Sequence, residues 1–405
     1  MAKKIEWVVL RRPRSPGDDA GLVATEAATG RRRILGLEAA PSRMTTRLER
    51  VTVEVDEMDG EQRRTAQQDD TVLASFPRMP VTLIKAREAS AGAKKVGKVA
   101  WGVGAVNAVG GDSDGTGVTV AVLDTGIDAT HPAFKGVTLV QRNFTREAPQ
   151  DLDGHGTHCA GTIFGRDVDK FRIGVAKGIS RALIGKVLGE GGGSSEDIVN
   201  AIFWAKLEGA HVISMSLGMD FVGYQQHLID KKQFTQAEAT SIALAGYRQN
   251  SRVFDRLSQM MLGVDGVVAG SVLVAAAGNE SDRPNYSIIV APPASGERFL
   301  SVAALGFDEN NGKKKYRVAN FSNEGAVVSA PGEDIWSAKA GGGLIALSGT
   351  SMATPHVAGV AALWAQKKMP QGFSADWVVQ QIRETAIDLS PLDPEDVGDG
   401  LVQGP

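Results

Sequence analysis

Val118-Thr-Val-Ala-Val-Leu-Asp-Thr-Gly126 is an apolar run that ends on a carboxylate and then a glycine. A continuous apolar run suits a strand buried on both faces, as parallel strands are. Outward from it, similar runs recur at 184–188, 212–214 and 272–277, bounded by glycines. Helical stretches lie between them. One is 195–208, which opens on serine and acidic residues as a helix N-terminus should. Strand alternating with helix predicts an α/β fold with a doubly wound parallel sheet over residues 100–405.

Residues 1–90 have a different rhythm. Ile5-Glu-Trp-Val-Val-Leu10, Val51-Thr-Val-Glu-Val55 and Val81-Thr-Leu-Ile84 are short and strand-like, and a polar, helix-tolerant stretch runs from Asp59 to Asp70. This β–α–β pattern predicts a small α+β unit, an antiparallel sheet carrying helices on one face. Residues 91–99, small and basic, read as an exposed linker. Thr235-Gln-Ala-Glu238 reads as a capping box, followed by apolar positions at helical spacing. It marks a helical insertion around 220–250, for which a surface decoration is the plain expectation and a cleft rim or docking element the alternative.

The 405 residues are 42% hydrophobic, enough for one large core and a smaller one. A net charge of −3 argues against nucleic acid or an acidic membrane surface as partner. Charge is uneven: residues 1–98 hold 19 Lys/Arg against 14 Asp/Glu, and the remainder holds 25 against 33. Two such parts attract each other weakly. The lone Cys159 cannot form an internal disulfide. With no 18-residue apolar stretch and no apolar run before Arg11, neither a membrane span nor a leader is expected. The expected location is the cytoplasm, with secretion the alternative if a leader has been removed.

Three segments carry an Asp/His/Ser set: Ala121-Val-Leu-Asp-Thr-Gly-Ile-Asp128, Asp153-Gly-His-Gly-Thr-His-Cys-Ala-Gly161 and Leu347-Ser-Gly-Thr-Ser-Met-Ala-Thr-Pro-His-Val-Ala-Gly359. A serine hydroxyl needs a base to take its proton during attack, histidine has a suitable pKa, and a buried carboxylate fixes the ring's tautomer. Ser351 is thus the candidate nucleophile, His155 its base and Asp124 the orienting group. A fourth segment, Val274-Ala-Ala-Ala-Gly-Asn-Glu280, ends in Asn279, whose amide can donate to an oxyanion.

These four motifs, in the order Asp, His, Ser, resemble the signatures of the subtilisin-like serine proteases (subtilases), with proteinase K-like features such as Cys159 directly after His158. The resemblance implies a serine endopeptidase that hydrolyses peptide bonds through an acyl-enzyme on Ser351. It implies that the backbones of Gly191, Gly192, Gly193, Ser216, Leu217 and Gly218 pair with an extended polypeptide substrate, with Ala277 and Gly278 completing the cleft and Glu280 near the first pocket. Residues 1–90 resemble a subtilase propeptide, implying a zymogen whose own N-terminal domain acts as intramolecular inhibitor, cut somewhere in 85–100. No cofactor is required for the chemistry. A structural calcium is an open option: Asp167 and Asp169 lie in a suitable loop, but Ala133 stands where many members carry aspartate.

Other readings carry less. Asp-Thr-Gly at 124–126 also opens aspartic-protease sites, but no second copy occurs. His155 and His158 lack the glutamate of a zinc motif. Cys159 reads as a small buried hydrophobe, with a regulatory thiol as the alternative. At the level of function, the alternatives are a dedicated intracellular processing protease for one partner and a catalytically silent scaffold.

Overall fold

The computed structural model describes residues 3–12, 51–90, 94–261, 270–310 and 313–405. Residues 13–50 of the expected N-terminal unit and 91–93 of the expected linker lie outside the described residues.

The chain begins with β1 (Ile5–Arg11), β2 (Thr52–Met58), helix α1 (Gly60–Gln68) and β3 (Val72–Pro77). Asp59 caps α1 in a reciprocal capping box with Gln62. β1 lies between β2 and β3, antiparallel to both. The third strand is therefore Val72–Pro77, and the expected strand at 81–84 is not part of this sheet. That segment forms β4 (Pro80–Leu83), which leaves the small sheet, and it is followed by β5 (Arg87–Glu88). Alternation along β1 explains the layering. Trp7 and Val9 pack with Met58 and Ala66, while Val8 and Leu10 face the other way into the body of the molecule.

The body follows with α2 (Trp101–Ala105), β6 (Thr119–Asp124), β7 (Thr138–Asn143), α3 (His155–Phe164), β8 (Arg181–Lys186), β9 (Gly193–Ser194), α4 (Ser195–Leu207), β10 (Val212–Met215) and β11 (Leu217–Met219). Next come α5 (Phe221–Asp230), α6 (Gln236–Met261), β12 (Val272–Ala276), β13 (Phe299–Asn310), β14 (Lys313–Val318), β15 (Val328–Pro331), β16 (Ile335–Ala338), β17 (Leu344–Ser348), α7 (Thr350–Lys368) and α8 (Ala375–Glu384). The main sheet runs β14-β13-β12-β10-β6-β8-β7, with β15 beside β13. All its pairings are parallel except β13 with β14. All six residues of β6 are buried. Val120 and Val122 pack under α3 and α7, and Ala121 and Leu123 face α4 on the other side. This two-sided burial is the physical content of the apolar run at 118–123.

The insertion runs further than 250. Its helices are α5 and the 26-residue α6, with Thr235 and Glu238 exchanging the capping-box bonds. It is no free decoration, because α6 packs against β3.

Candidate active site

Asp124 is the last residue of β6, His155 the first of α3 and Ser351 the second of α7. A parallel sheet sends its strand ends and helix starts to one edge, so three distant segments converge there. Asp151 holds the loop before α3. Its two carboxylate oxygens accept from the Thr125 hydroxyl (2.8 Å), the Gly154 amide (2.8 Å) and the Thr157 amide and hydroxyl (2.9 and 2.6 Å). The Thr125 hydroxyl in turn accepts from the Gly156 amide at 2.9 Å. The ring of His155 is thereby set against Asp124, whose Oδ1 accepts from Nδ1 at 2.8 Å and from the Thr125 amide at 2.8 Å. Both side chains are buried, at 2% and 1% exposure. Burial alone would lower the imidazole pKa, but the Asp124 carboxylate, with Cys159 beside it, more than offsets burial and raises it well above the usual value.

Cys159 bridges the histidine and serine sides. Its Sγ lies 3.7 Å from His155 Nδ1 and 3.3 Å from the Ser351 carbonyl. Burial pushes this thiol's pKa up, so it stays a neutral packing group. Asn279 follows β12, and its Oδ1 accepts from the Thr350 amide (2.8 Å) and hydroxyl (2.9 Å). That leaves its Nδ2 pointing into the cleft. Thr350 is a positioning residue the sequence reading did not single out, as is Asp151; for Thr350 the signal was adjacency to the nucleophile.

The cleft is occupied by the chain's own residues 80–88. β4 lies antiparallel between β9 and β11, with Leu83 opposite Leu217, Thr82 opposite Gly218 and Val81 opposite Gly193. Gly192 is needed as glycine: its φ is +80°, and a Cβ there would come within 2.6 Å of the Val81 carbonyl. Gly191 faces open space. Val81 and Ile84 are buried, and the Ile84 side chain lies over Gly218. Past Ile84 the segment continues as β5, pairing with β17. Ser90 then bonds Asp334 through its amide (2.8 Å) and hydroxyl (2.6 Å). Residues 88–90 are thus tied to the body. Of the expected linker, 94–98 are exposed coil and turn, and Val99 bridges to Arg172.

Two expectations change in detail. The Ser351 hydroxyl does not bond His155; it donates to the Ile84 carbonyl at 2.9 Å, and His155 Nε2 has no hydrogen-bond partner. The Asn279 amide donates to the next carbonyl, that of Lys85, at 2.9 Å. The self-segment therefore takes the donors of both candidate groups. Glu280 accepts from Asn323 Nδ2 at 2.7 Å. Ala277 and Gly278 form the wall behind the cleft, their amides and carbonyls bonded to Val302, Asn323 and Thr350. Ser216 turns its hydroxyl to the Ser351 carbonyl at 3.4 Å.

His158 and His356 are structural. Burial lowers their pKa values to about 3 and about 4, and each bonds a backbone carbonyl, of Ile335 and Met352. In the loop carrying Asp167 and Asp169, Asp167 is paired with Lys177 at 3.4 Å. Among the described residues, three potential metal ligands come together only at Asp124, His155 and Cys159.

The subtilase family profile matches residues 115–402, and the chain belongs to the subtilase family. An intracellular serine protease of Paenibacillus polymyxa is 35% identical over 266 residues, covering 64% of this chain and 70% of the relative. Subtilisin-like protease 6 of Trichophyton verrucosum is 35% identical over 264 residues, covering 62% of this chain and 52% of the relative. The chain thus spans about half the length of the fungal relatives it matches. The crystal structure of fervidolysin from Fervidobacterium pennivorans, a keratinolytic enzyme related to subtilisin, superposes with a TM-score of 0.64 at 23% identity. It covers 99% of this chain and 60% of fervidolysin, a likeness of fold. No helix among the described residues is long and apolar enough to cross a membrane.

Proposed function

We propose that the chain is a serine endopeptidase acting on polypeptides and held in check by its own N-terminal residues. In this reading 1–90 form an inhibitory domain, 91–99 a linker and 100–405 the peptidase. The observation that carries it is a substrate-like strand, residues 80–84, ending with a carbonyl on the Ser351 hydroxyl beside a buried His155–Asp124 pair.

The chemistry uses only residues at hand. The Ser351 hydroxyl turns from Ile84 to His155 Nε2, which takes its proton as Oγ bonds the scissile carbonyl carbon. Asn279 Nδ2 donates to the oxyanion. His155 returns the proton to the departing amine, leaving an ester on Ser351, and water reverses these steps to free the acid. Asp124 holds the ring and stabilises its charged form. Single cysteine usage and the likeness to an intracellular relative support a cytoplasmic site of action. Hydrolysis of a generic peptide anilide, blocked by a serine-directed phosphonate and absent in Ser351→Ala, is the expected result. No turnover after removal of residues 1–90, with the fold intact, would favour the silent scaffold.

A further inference from the structure

The pairing of β4 with β9 and β11 accounts for the main chain nearest Ser351, but the body goes on making contacts further upstream. Asp220 caps α5, its carboxylate accepting from the Gly223 amide at 2.7 Å, and its own amide donates to the Pro80 carbonyl at 3.1 Å. Ser195, fully buried as the first residue of α4, meets Met79 twice. Its hydroxyl accepts from the Met79 amide at 3.0 Å, and its amide donates to the Met79 carbonyl at 2.9 Å. Glu196 accepts from Arg78 Nε at 3.2 Å. The same guanidinium bonds Glu6 of the small sheet at 3.1 Å. Burial raises the pKa of Glu196, and Asp197 beside it adds to the rise, so this carboxylate gains from a cation within reach. One group here is unused. Tyr224 on α5 is 5% exposed, and its hydroxyl has no hydrogen-bond partner. It lines a cavity of about 340 Å³ together with Arg78, Met79, Pro80, Ser194 and Asp220. A buried hydroxyl left unpaired is costly, and Pro80 has no polar side-chain atom to offer it.

We infer that α5 and the start of α4 form an extended subsite that reads substrate polypeptides at the fifth, sixth and seventh residues upstream of the cut bond. It takes the main chain of the fifth and sixth and a basic side chain at the seventh. Counting back from Ile84 as the first, the chain's own residues 80, 79 and 78 lie in it as a substrate would. The bonds from Asp220 and Ser195 go to backbone atoms and accept any sequence that is extended there. Glu196 instead selects, because only a cation repays its burial. At the fifth position a glutamine in place of proline brings an amide into the cavity that Tyr224 lines. The inference rests on the peptidase reading and extends it to substrate choice: polypeptides extended over seven residues before the cut and basic at the seventh.

The test measures kcat/KM of the wild-type protein on internally quenched peptides copying residues 78–90 and 81–90. Active sites are counted with a serine-directed phosphonate, and mass spectrometry reads the bond that is cut. The longer peptide is expected to be cut at least about tenfold faster, given three additional main-chain bonds. N-methylation of its methionine removes the N–H that Ser195 accepts and should cost roughly threefold to tenfold. Alanine in place of arginine at the seventh position should cost about fivefold to tenfold in the wild type and nothing in Glu196→Gln. Glu196→Lys should prefer glutamate there to arginine. Each preference is a ratio within one protein, so a variant of lower overall activity still reports it. Equal rates for the two lengths, or the same arginine preference in wild type and Glu196→Gln, would overturn the inference alone. No hydrolysis of either peptide would instead sink the peptidase reading, and the inference with it.

Discussion

The Ser351 hydroxyl donates to the carbonyl of Ile84, 2.9 Å away and 267 residues earlier in the chain. That bond takes the proton His155 would otherwise receive. In the proposed reading, that makes the first part of the chain both the nearest substrate and the nearest inhibitor.

Asn279 owes its direction to Thr350. Asn279→Leu should lower kcat by about 10²–10³, the known cost of losing one oxyanion donor in this enzyme class, with KM little changed. Thr350→Val should lower kcat in the same sense but less, and Thr350→Ser should restore it, because the hydroxyl bond to Oδ1 returns. Steady-state kinetics on a peptide anilide reads both; a change confined to KM would remove Asn279 from the oxyanion position.

The pH dependence follows from His155. The base must be neutral to act, and its pKa is raised because Asp124, together with Cys159, more than offsets burial. The acid limb of kcat/KM should therefore lie above the ordinary histidine value of about 6.5, so activity is already falling as pH drops through neutrality. Asp124→Asn removes the raising charge and leaves burial, which lowers the pKa. Imidazole proton NMR in the Ser351→Ala background should show the titration moving below its parental midpoint; an unchanged midpoint would mean the carboxylate is not what sets it.

Cys159 should behave as core. The thiol is buried and its pKa is raised, so an alkylating reagent should leave the folded protein unmodified and react fully once it is unfolded. Intact-mass spectrometry decides, and prompt native labelling with loss of activity would make it a regulatory thiol instead.

The parallel core and the Asp124–His155 pair were legible because buried strands write themselves as apolar runs, and glycine-bracketed polar residues mark where those runs stop. The exchange of Val72–Pro77 for 81–84 in the small sheet was not legible. Both are short, strand-like runs, and only a pairing partner over a hundred residues away, at Gly193 and Leu217, decides where β4 goes. Asp151 was missed for a related reason: its work is to join two loops, and no local spacing announces that. The contact of α6 with the small sheet was hidden because Asn250 and Gly246 meet a turn at 77–79 that has no motif of its own.

N-terminal sequencing of the purified wild type beside its Ser351→Ala form tests the account most directly. The account predicts a new terminus at Lys85 or Ala86 in the wild type, where consecutive carbonyls meet Ser351 and Asn279, and an uncut chain in the variant. Identical termini in both proteins, or a Ser351-dependent terminus beyond Ser90, would contradict it.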